Sequence, residues 1–376
     1  MAGPTASAPQ TLLQVVQTCD NFTVDHNDPA AEPLVPWRLA ADLSSPAIGL
    51  LRPAIVAQLR EENTRASDSP SWEFAEHAGR LCVGFAPHLK TSLARTRVMK
   101  ELCERWRDEG RWADVIGPRK WRDEMYPVFR NPFGAHDAPT AEAQLAQLLD
   151  QDDAADDGGN YAFMMERAAC ALFGVVTYGV HMSVYEADED APRSCRMWVP
   201  MRARTKQTWP GYFDNSVAGG IPSGLGIFES LVKESMEEAS LEEDIVREHA
   251  RPVGTISYFY RHVCATLVIT AGADGLCILG LLRDGFNRRY VFDLRTPPGA
   301  DKSRFIPKPL DDEVESFELL PLEEIVQRIR HGLFKANTAL VILDFMVRQG
   351  YLTPDDEPDY HDILTHMHTR FDYEIW

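Results

Sequence analysis

Positive charge is the first thing this sequence lacks. Lys and Arg number 38 against 57 Asp and Glu, and the formal net charge is −19. Binding to nucleic acid in bulk needs cationic surface to neutralise phosphates, so no nucleic-acid partner is expected. Local groups such as Arg202, Arg204 and Lys206 still suffice for a phosphorylated small molecule. Cysteine is sparse as well. The seven are scattered, with no CxxC pair and no Cys/His cluster, which gives neither a disulfide framework nor a zinc site and fits a reducing compartment. Residues 1–37 contain no Lys or Arg, so a secretory signal with a basic start is not expected. Long apolar runs are missing too. The nearest, CATLVITAGADGLCILGLL, is split by Gly272-Ala273-Asp274-Gly275 and reads as a β-hairpin rather than a membrane span. These absences together predict a cytoplasmic protein with no membrane partner.

What is there divides into four stretches. Residues 1–130 read as one α+β unit, with a helix at TLLQVVQTCDNF and short strands in SWEFAEHAGRLCVGF. A further helix is expected where Val98, Leu102 and Trp106 recur at helical spacing. Residues 131–160 are rich in Asp, Ala and Gly and read as an acidic linker, with a short helix expected at AEAQLAQLL. From 161 to 350 strands and helices mix: YGVHMSVYE, RMWVPMRA, TISYFYR and RRYVFDLR as strands, VESFELLPLEEIVQRIRHG as strand then helix, and LFKANTALVILDFMVRQGYLT as a helix ended by Gly350. That order predicts an α/β/α sandwich around a mixed sheet. Residues 351–376 form a C-terminal extension.

One segment carries chemistry. In GGIPSGLGIFESLVKESMEEASLEED, glycines lead into a helix with Glu234, Glu237 and Glu238 at i, i+3 and i+4. All three then share one face, where like charges repel by roughly a few tenths of a kcal/mol per pair. Such a pattern is either a solvated acidic surface or a site for a divalent cation. Mg²⁺, or Mn²⁺, is the candidate, because hard cations take carboxylates, waters and substrate phosphates. The glycine loop allows close approach of backbone to an anion.

Loop and helix together resemble the Nudix box. Lys233-Glu234 takes its Arg-Glu place, Glu237-Glu238 its Glu-Glu place and Leu241 its last apolar place. Leu225 stands where the loop Glu belongs, Ser235 replaces an apolar residue, and Ser240 replaces a glycine. Glu229 is positioned to serve the helix dipole or to substitute for the loop Glu. The likeness extends to WVPMRARTKQTWPGYFDNSVAGGIPSG and KANTALVILDFMVRQGYLTPDDEPDY, which look like fungal and plant Nudix proteins related to thiamine pyrophosphokinase. The resemblance implies a Nudix sandwich preceded by a smaller N-terminal domain. It also implies hydrolysis of thiamine diphosphate and its oxidised products, oxythiamine and oxothiamine diphosphate, to monophosphates. No Walker-type P-loop occurs, so a fused kinase activity is not expected.

The resemblance also assigns roles. Glu234, Glu237 and Glu238 would hold the metal, with Lys233 beside them. Gly219 and Gly220 would shape the phosphate loop. Nudix enzymes often add a Glu from outside the helix, and DDEVESFEL offers Glu313 and Glu315 on one expected strand face, with Glu315 taken as catalytic. Lys206, Gln207, Trp209, Tyr178 and His181 are candidates for the substrate, the aromatic faces through stacking and cation–π attraction. Asp214 and Asn215 read as turn-shaping residues. Two other readings stay open: a diphosphatase acting on a nucleoside diphosphate derivative or coenzyme A, and a non-catalytic module that binds thiamine diphosphate.

Overall fold

A computed structural model of the chain describes residues 4, 6–22, 33–66, 68–140, 143, 146, 158–188, 191, 194–206, 208–272, 275–310 and 312–369. All of the expected helix at AEAQLAQLL except Ala143 and Ala146, which are helical, half of the acidic linker and the end of the C-terminal extension lie outside the described residues.

The chain opens with α1 (Leu12–Cys19), whose Thr11 and Gln14 form a capping box that satisfies two first-turn donors. Then come β1 (Val35–Ala40), β2 (Ala47–Leu51), α2 (Pro53–Arg65), β3 (Trp72–His77), β4 (Arg80–Phe85), α3 (Ser92–Asp108) and the short α4 (Ala113–Ile116). The order across the first sheet is β2-β1-β4-β3. Its inner face holds Trp37, Trp72 and Phe85, with ring centroids 5.1 to 6.1 Å apart. β5 (Met125–Phe129) pairs antiparallel with β6 (Tyr161–Glu166) across the acidic segment. A 3₁₀ turn, Arg167–Leu172, follows. Residues 161–172 therefore sit on the first unit, although the composition shift suggests that the second begins at 161.

The second sheet is mixed, as expected. It contains β7 (Thr177–Ala187), β8 (Cys195–Arg202), β9 (Val217–Gly220), β10 (Ala250–Gly272), β11 (Gly275–Arg295) and β12 (Val314–Pro321). The order is β10-β11-β7-β8-β12, with β9 paired to β7. β7 and β11 run parallel, while β10 and β11 form one long hairpin closing at Gly272–Gly275. Between β9 and β10 lie α5 (Ile227–Ala239) and α6 (Glu243–His249); after β12 come α7 (Leu322–Arg330), α8 (Ala336–Arg348) and α9 (Tyr360–Met367).

Strand alternation sorts the two faces. Tyr178, Val180, Met182 and Val184 of β7 join one core, with Leu231 and Val232 of α5 and with Trp37, Phe85 and Phe163 of the first unit. Tyr185 and Val291 join the other, under α1, α7, α8 and α9. The first unit is thus a layer that shares a core with the second sheet. Trp37 is fully buried and its ring centroid lies 5.0 Å from Phe173 and 5.6 Å from Phe163. Trp37→Ala is expected to cost about 3–5 kcal/mol and to shift one cooperative thermal transition. Two separable transitions in calorimetry of the full chain would show the units to be independent.

Candidate active site

The acidic helix forms as its pattern requires. Gly226 is its N-cap without a side-chain bond, and Glu229 lies in the first turn, where a carboxylate favours the dipole. Leu231, Val232, Ser235 and Ala239 are buried. Ser235, which replaces an apolar residue, satisfies its buried hydroxyl by donating to the Leu231 carbonyl at 2.7 Å. Ser240 ends the helix at φ 52°, the left-handed region that a glycine takes without strain. Glu229 binds Arg247 with both oxygens, at 2.7 and 2.8 Å, so it is occupied by an ion pair and does not replace the loop Glu.

α5 docks on edge strand β9. A Cβ added to Gly219 would lie 2.0 Å from Cδ of Glu234, so only glycine leaves room for that carboxylate. One residue earlier, the Ala218 N–H donates to Glu238 at 3.2 Å. Burial raises the Glu234 carboxyl to about 7; Lys233 opposes this, and the charges of Glu237 and Glu313 add to it. Burial and the neighbouring Glu234 raise Glu238 to about 8. Glu237 is exposed and pairs with Lys233 at 3.1 Å, so the expected triplet resolves into an inward pair and an outward ion pair.

Outside the helix the companion carboxylate is Glu313. Burial pushes its carboxyl up, but a hydrogen-bonded ion pair with Lys206, the charge of Arg202 and a hydrogen bond from Glu238 together hold it below the usual range. Glu315, the residue chosen from the sequence, instead accepts the Arg204 N–H at 2.9 Å. β12 begins at Val314 and its register shifts between Val314 and Ser316, so the two glutamates do not share the strand face that strict alternation predicts.

The substrate candidates scatter. The Tyr178 side chain belongs to the core beneath α5, and its hydroxyl donates to the Pro132 carbonyl at 3.1 Å. His181 lies on the opposite face, with Nδ1 2.7 Å from Asn215 Oδ1. Burial, then Lys335 and Arg289, push it down to about 3, so it is neutral at pH 7. Trp209 sits at φ 54°, edge-on to Tyr212 at 4.9 Å. Lys206 is engaged by Glu313, and Gln207 lies outside the described residues. Gly220 faces the Arg167 guanidinium, 3.0 Å from a would-be Cβ. Arg167 is bound by Glu124 of the first unit at 2.8 Å. No local sequence signal marks Arg167, Lys335 or Arg289.

Asp214 is no mere turn former. It accepts from Arg202 at 2.7 Å, Lys335 at 3.3 Å and Thr338 at 2.5 Å. Burial alone would raise its carboxyl; Lys335 and Arg202 hold it well below the carboxylate range.

Among the described residues no group of three His, Cys, Asp or Glu closes around a metal-sized point. Two carboxylates with an open side still suit an ion that keeps several waters. The oxygen donors, the glycine cradle under Glu234 and two neighbouring buried carboxyls fit Mg²⁺ or Mn²⁺.

No family model matches the chain. An uncharacterized protein of Saccharomyces cerevisiae is 39% identical over 264 residues, 69% of this chain and 65% of its own length. Nudix hydrolase 20, chloroplastic, of Arabidopsis thaliana is 36% identical over 55% of this chain and 48% of its own length. Nudix hydrolase 24, chloroplastic, of the same plant is 33% identical over 54% and 49%. The chain therefore spans about half the length of the plant relatives and 65% of the yeast one. The two named relatives are Nudix hydrolases, and this chain is similar to them over about half its length. No helix among the described residues is long and apolar enough to cross a membrane.

Two outcomes follow from the helix. A carboxyl raised to about 8, against about 4.3 unfolded, favours folding only when neutral. Its ionisation destabilises progressively from about pH 4 upward, fully above pH 8. In EDTA, Glu238→Gln is expected to match wild type near pH 4 and to melt higher by a few degrees near pH 9; a gap independent of pH in thermal melts would contradict this. Ser240→Gly should gain about 1 kcal/mol by relieving the left-handed strain, less what is lost with the Ser240–Lys308 bond, as read from urea midpoints.

Proposed function

We propose that this Nudix-type chain is a divalent-metal-dependent hydrolase that cleaves a diphosphate bond in a small molecule. We propose further that thiamine diphosphate and its oxidised products are its substrates. The observation that carries the chemistry is the inward pair. Glu234 and Glu238, one turn apart, are both raised towards neutrality by burial and by neighbouring carboxylates. Burying two carboxylates without a counter-ion is costly, and perturbed groups of this kind concentrate at functional sites. The substrate reading rests on the likeness of the segments around the box and of the C-terminal helix to the thiamine-related Nudix proteins.

Glu234 and Glu238 would hold the cation, with Glu313 beside them. When bound, the cation neutralises diphosphate charge and acidifies a coordinated water. The remaining work falls to side chains. Glu313, held ionised by Lys206 while Glu238 is pushed the other way, is the proposed proton acceptor; environments that drive two carboxyls apart mark such a division of roles. Arg167, fixed by Glu124, places positive charge beside Gly220. Lys233 and Glu237 balance each other on the outer face and are not assigned to the chemistry.

A cytoplasmic location remains our proposal. The binding-module reading draws on Leu225 in the loop and on Glu229 being taken by Arg247, which leave fewer ligands than the full pattern supplies.

The test is turnover of thiamine diphosphate, oxythiamine diphosphate, ADP-ribose and coenzyme A with Mg²⁺, followed by chromatography. Monophosphate should form from the thiamine compounds. Glu234→Gln should lower kcat by about 100-fold or more while melting no lower than wild type in EDTA. Full activity of that variant would remove the acidic site from the chemistry. Turnover of ADP-ribose or coenzyme A alone would keep the chemistry and replace the substrate. Binding without turnover under every metal would leave the binding module.

A further inference from the structure

On the face of the second sheet away from α5, positive charge exceeds negative where the backbone is cut back to receive it. Arg202 and Lys335 both donate to Oδ2 of Asp214, while Thr338 and the Asn215 N–H occupy Oδ1. That one carboxylate is saturated. A third cation, Arg289, donates to Asn287 at 2.7 Å and reaches the Tyr258 hydroxyl at 3.4 Å, and among the described residues it has no carboxylate at ion-pair distance. Arg289 and Arg202 both act on Lys335 to disfavour its charge, so the three cations lie within each other's field.

The backbone accommodates the surplus. A Cβ at Gly179 would stand 2.6 Å from Nη1 of Arg289 and 2.7 Å from the Gly219 carbonyl oxygen. Glycine at 179 lets the guanidinium lie on strand β7. Lys335 is also the N-cap of α8 and gives that helix no side-chain cap. Between the cations and the acidic pair is a single strand step: His181 pairs in register with Ala218, whose N–H holds Glu238.

A second observation asks for a ligand. Asn215 is 1% exposed and its Oδ1 is taken by His181, yet its Nδ2 donor has no partner. Buried polar groups are nearly always hydrogen-bonded, and an orphan needs an account. An oxyanion supplies what is missing: acceptors for Asn215 and Arg289 and negative charge for the surplus.

We propose that Arg289, Lys335 and Asn215 form a phosphate-binding subsite, one strand away from the acidic pair, that holds a phosphate of the substrate independently of the metal. That the phosphate belongs to the substrate rests on the hydrolase reading; binding of a phosphate oxyanion as such does not.

The test uses the full chain in EDTA, so that the acidic pair is without cation. Inorganic phosphate is titrated at ionic strength matched with sodium chloride, and the melting temperature is followed; inorganic diphosphate and thiamine diphosphate form parallel series. Expected are a saturable rise with phosphate and tighter binding of thiamine diphosphate, marking the site as part of the substrate's. Free inorganic phosphate binding as tightly as thiamine diphosphate would overturn the assignment to substrate. Arg289→Gln should weaken phosphate binding about tenfold or more, with part restored in Arg289→Lys. Arg289→Lys, which keeps the charge but not the fork, also serves if Arg289→Gln does not fold. Glu234→Gln should bind phosphate as wild type does. No saturable effect beyond chloride, or loss in Glu234→Gln with retention in Arg289→Gln, would overturn the subsite. Absence of hydrolysis in wild type would remove the reading of the acidic site and leave phosphate binding in EDTA as measured.

Discussion

The docking of α5 onto β9 is the contact on which the rest depends. Glu234 fills the space left by the missing side chain of Gly219, and Glu238 is held by the Ala218 N–H. Both carboxylates are thereby fixed at the sheet edge. The contact is unfavourable in electrostatic terms, since burial and proximity raise both groups toward neutrality. The apolar stripe of Leu231, Val232 and Ala239, set in the core beneath, supplies what offsets it, at about 25 cal/mol per Å² of apolar surface buried. Local conflict supported by global packing is what functional sites show.

Charge is sorted around that contact. The inward carboxylates lie where α5 meets β9; Arg202 and Lys335 bind Asp214, and Arg289 lies within the field of Lys335. Glu313 stands between, in contact with Glu238 on one side and with Lys206 on the other. The proposed diphosphate substrate combines high negative charge with a bond to be cleaved, and the proposed division of the site would hold one part while acting on another. The first unit takes part as well. Its Glu124 fixes Arg167 beside Gly220, and its aromatic core continues under β7 and α5. It is therefore a structural wall of the site as well as a separate stretch of sequence.

Where sequence and structure part, the cause is tertiary in each case. The helical spacing of Val98, Leu102 and Trp106 predicts α3, and the alternation in YGVHMSVYE predicts β7, because both patterns are local. The pairing of β5 with β6 spans the acidic segment, and no local pattern carries it. Tyr178 and His181 look alike as substrate candidates in sequence, yet period two places them on opposite faces of the sheet. Glu315 is the expected companion only if the strand is unbroken. The register shift at Val314–Ser316 removes that assumption and leaves Glu313 as the residue that reaches Glu238. Asp214 was read as a turn former, since nothing nearby in sequence announces that Lys335 and Thr338, more than 120 residues on, will meet it.

The sequence by itself determined the acidic helix, the glycines in front of it, the mixed α/β order and the resemblance that points to a diphosphate. Those are encoded by spacing within one or two dozen residues, where helix and strand periods act directly. Only the tertiary structure decided which carboxylates turn inward, which outside glutamate joins them and where the cations collect. Those outcomes depend on burial, on strand register and on partners distant in the chain. The charge a group carries and the neighbour it meets are properties of the folded packing, and no local pattern contains them.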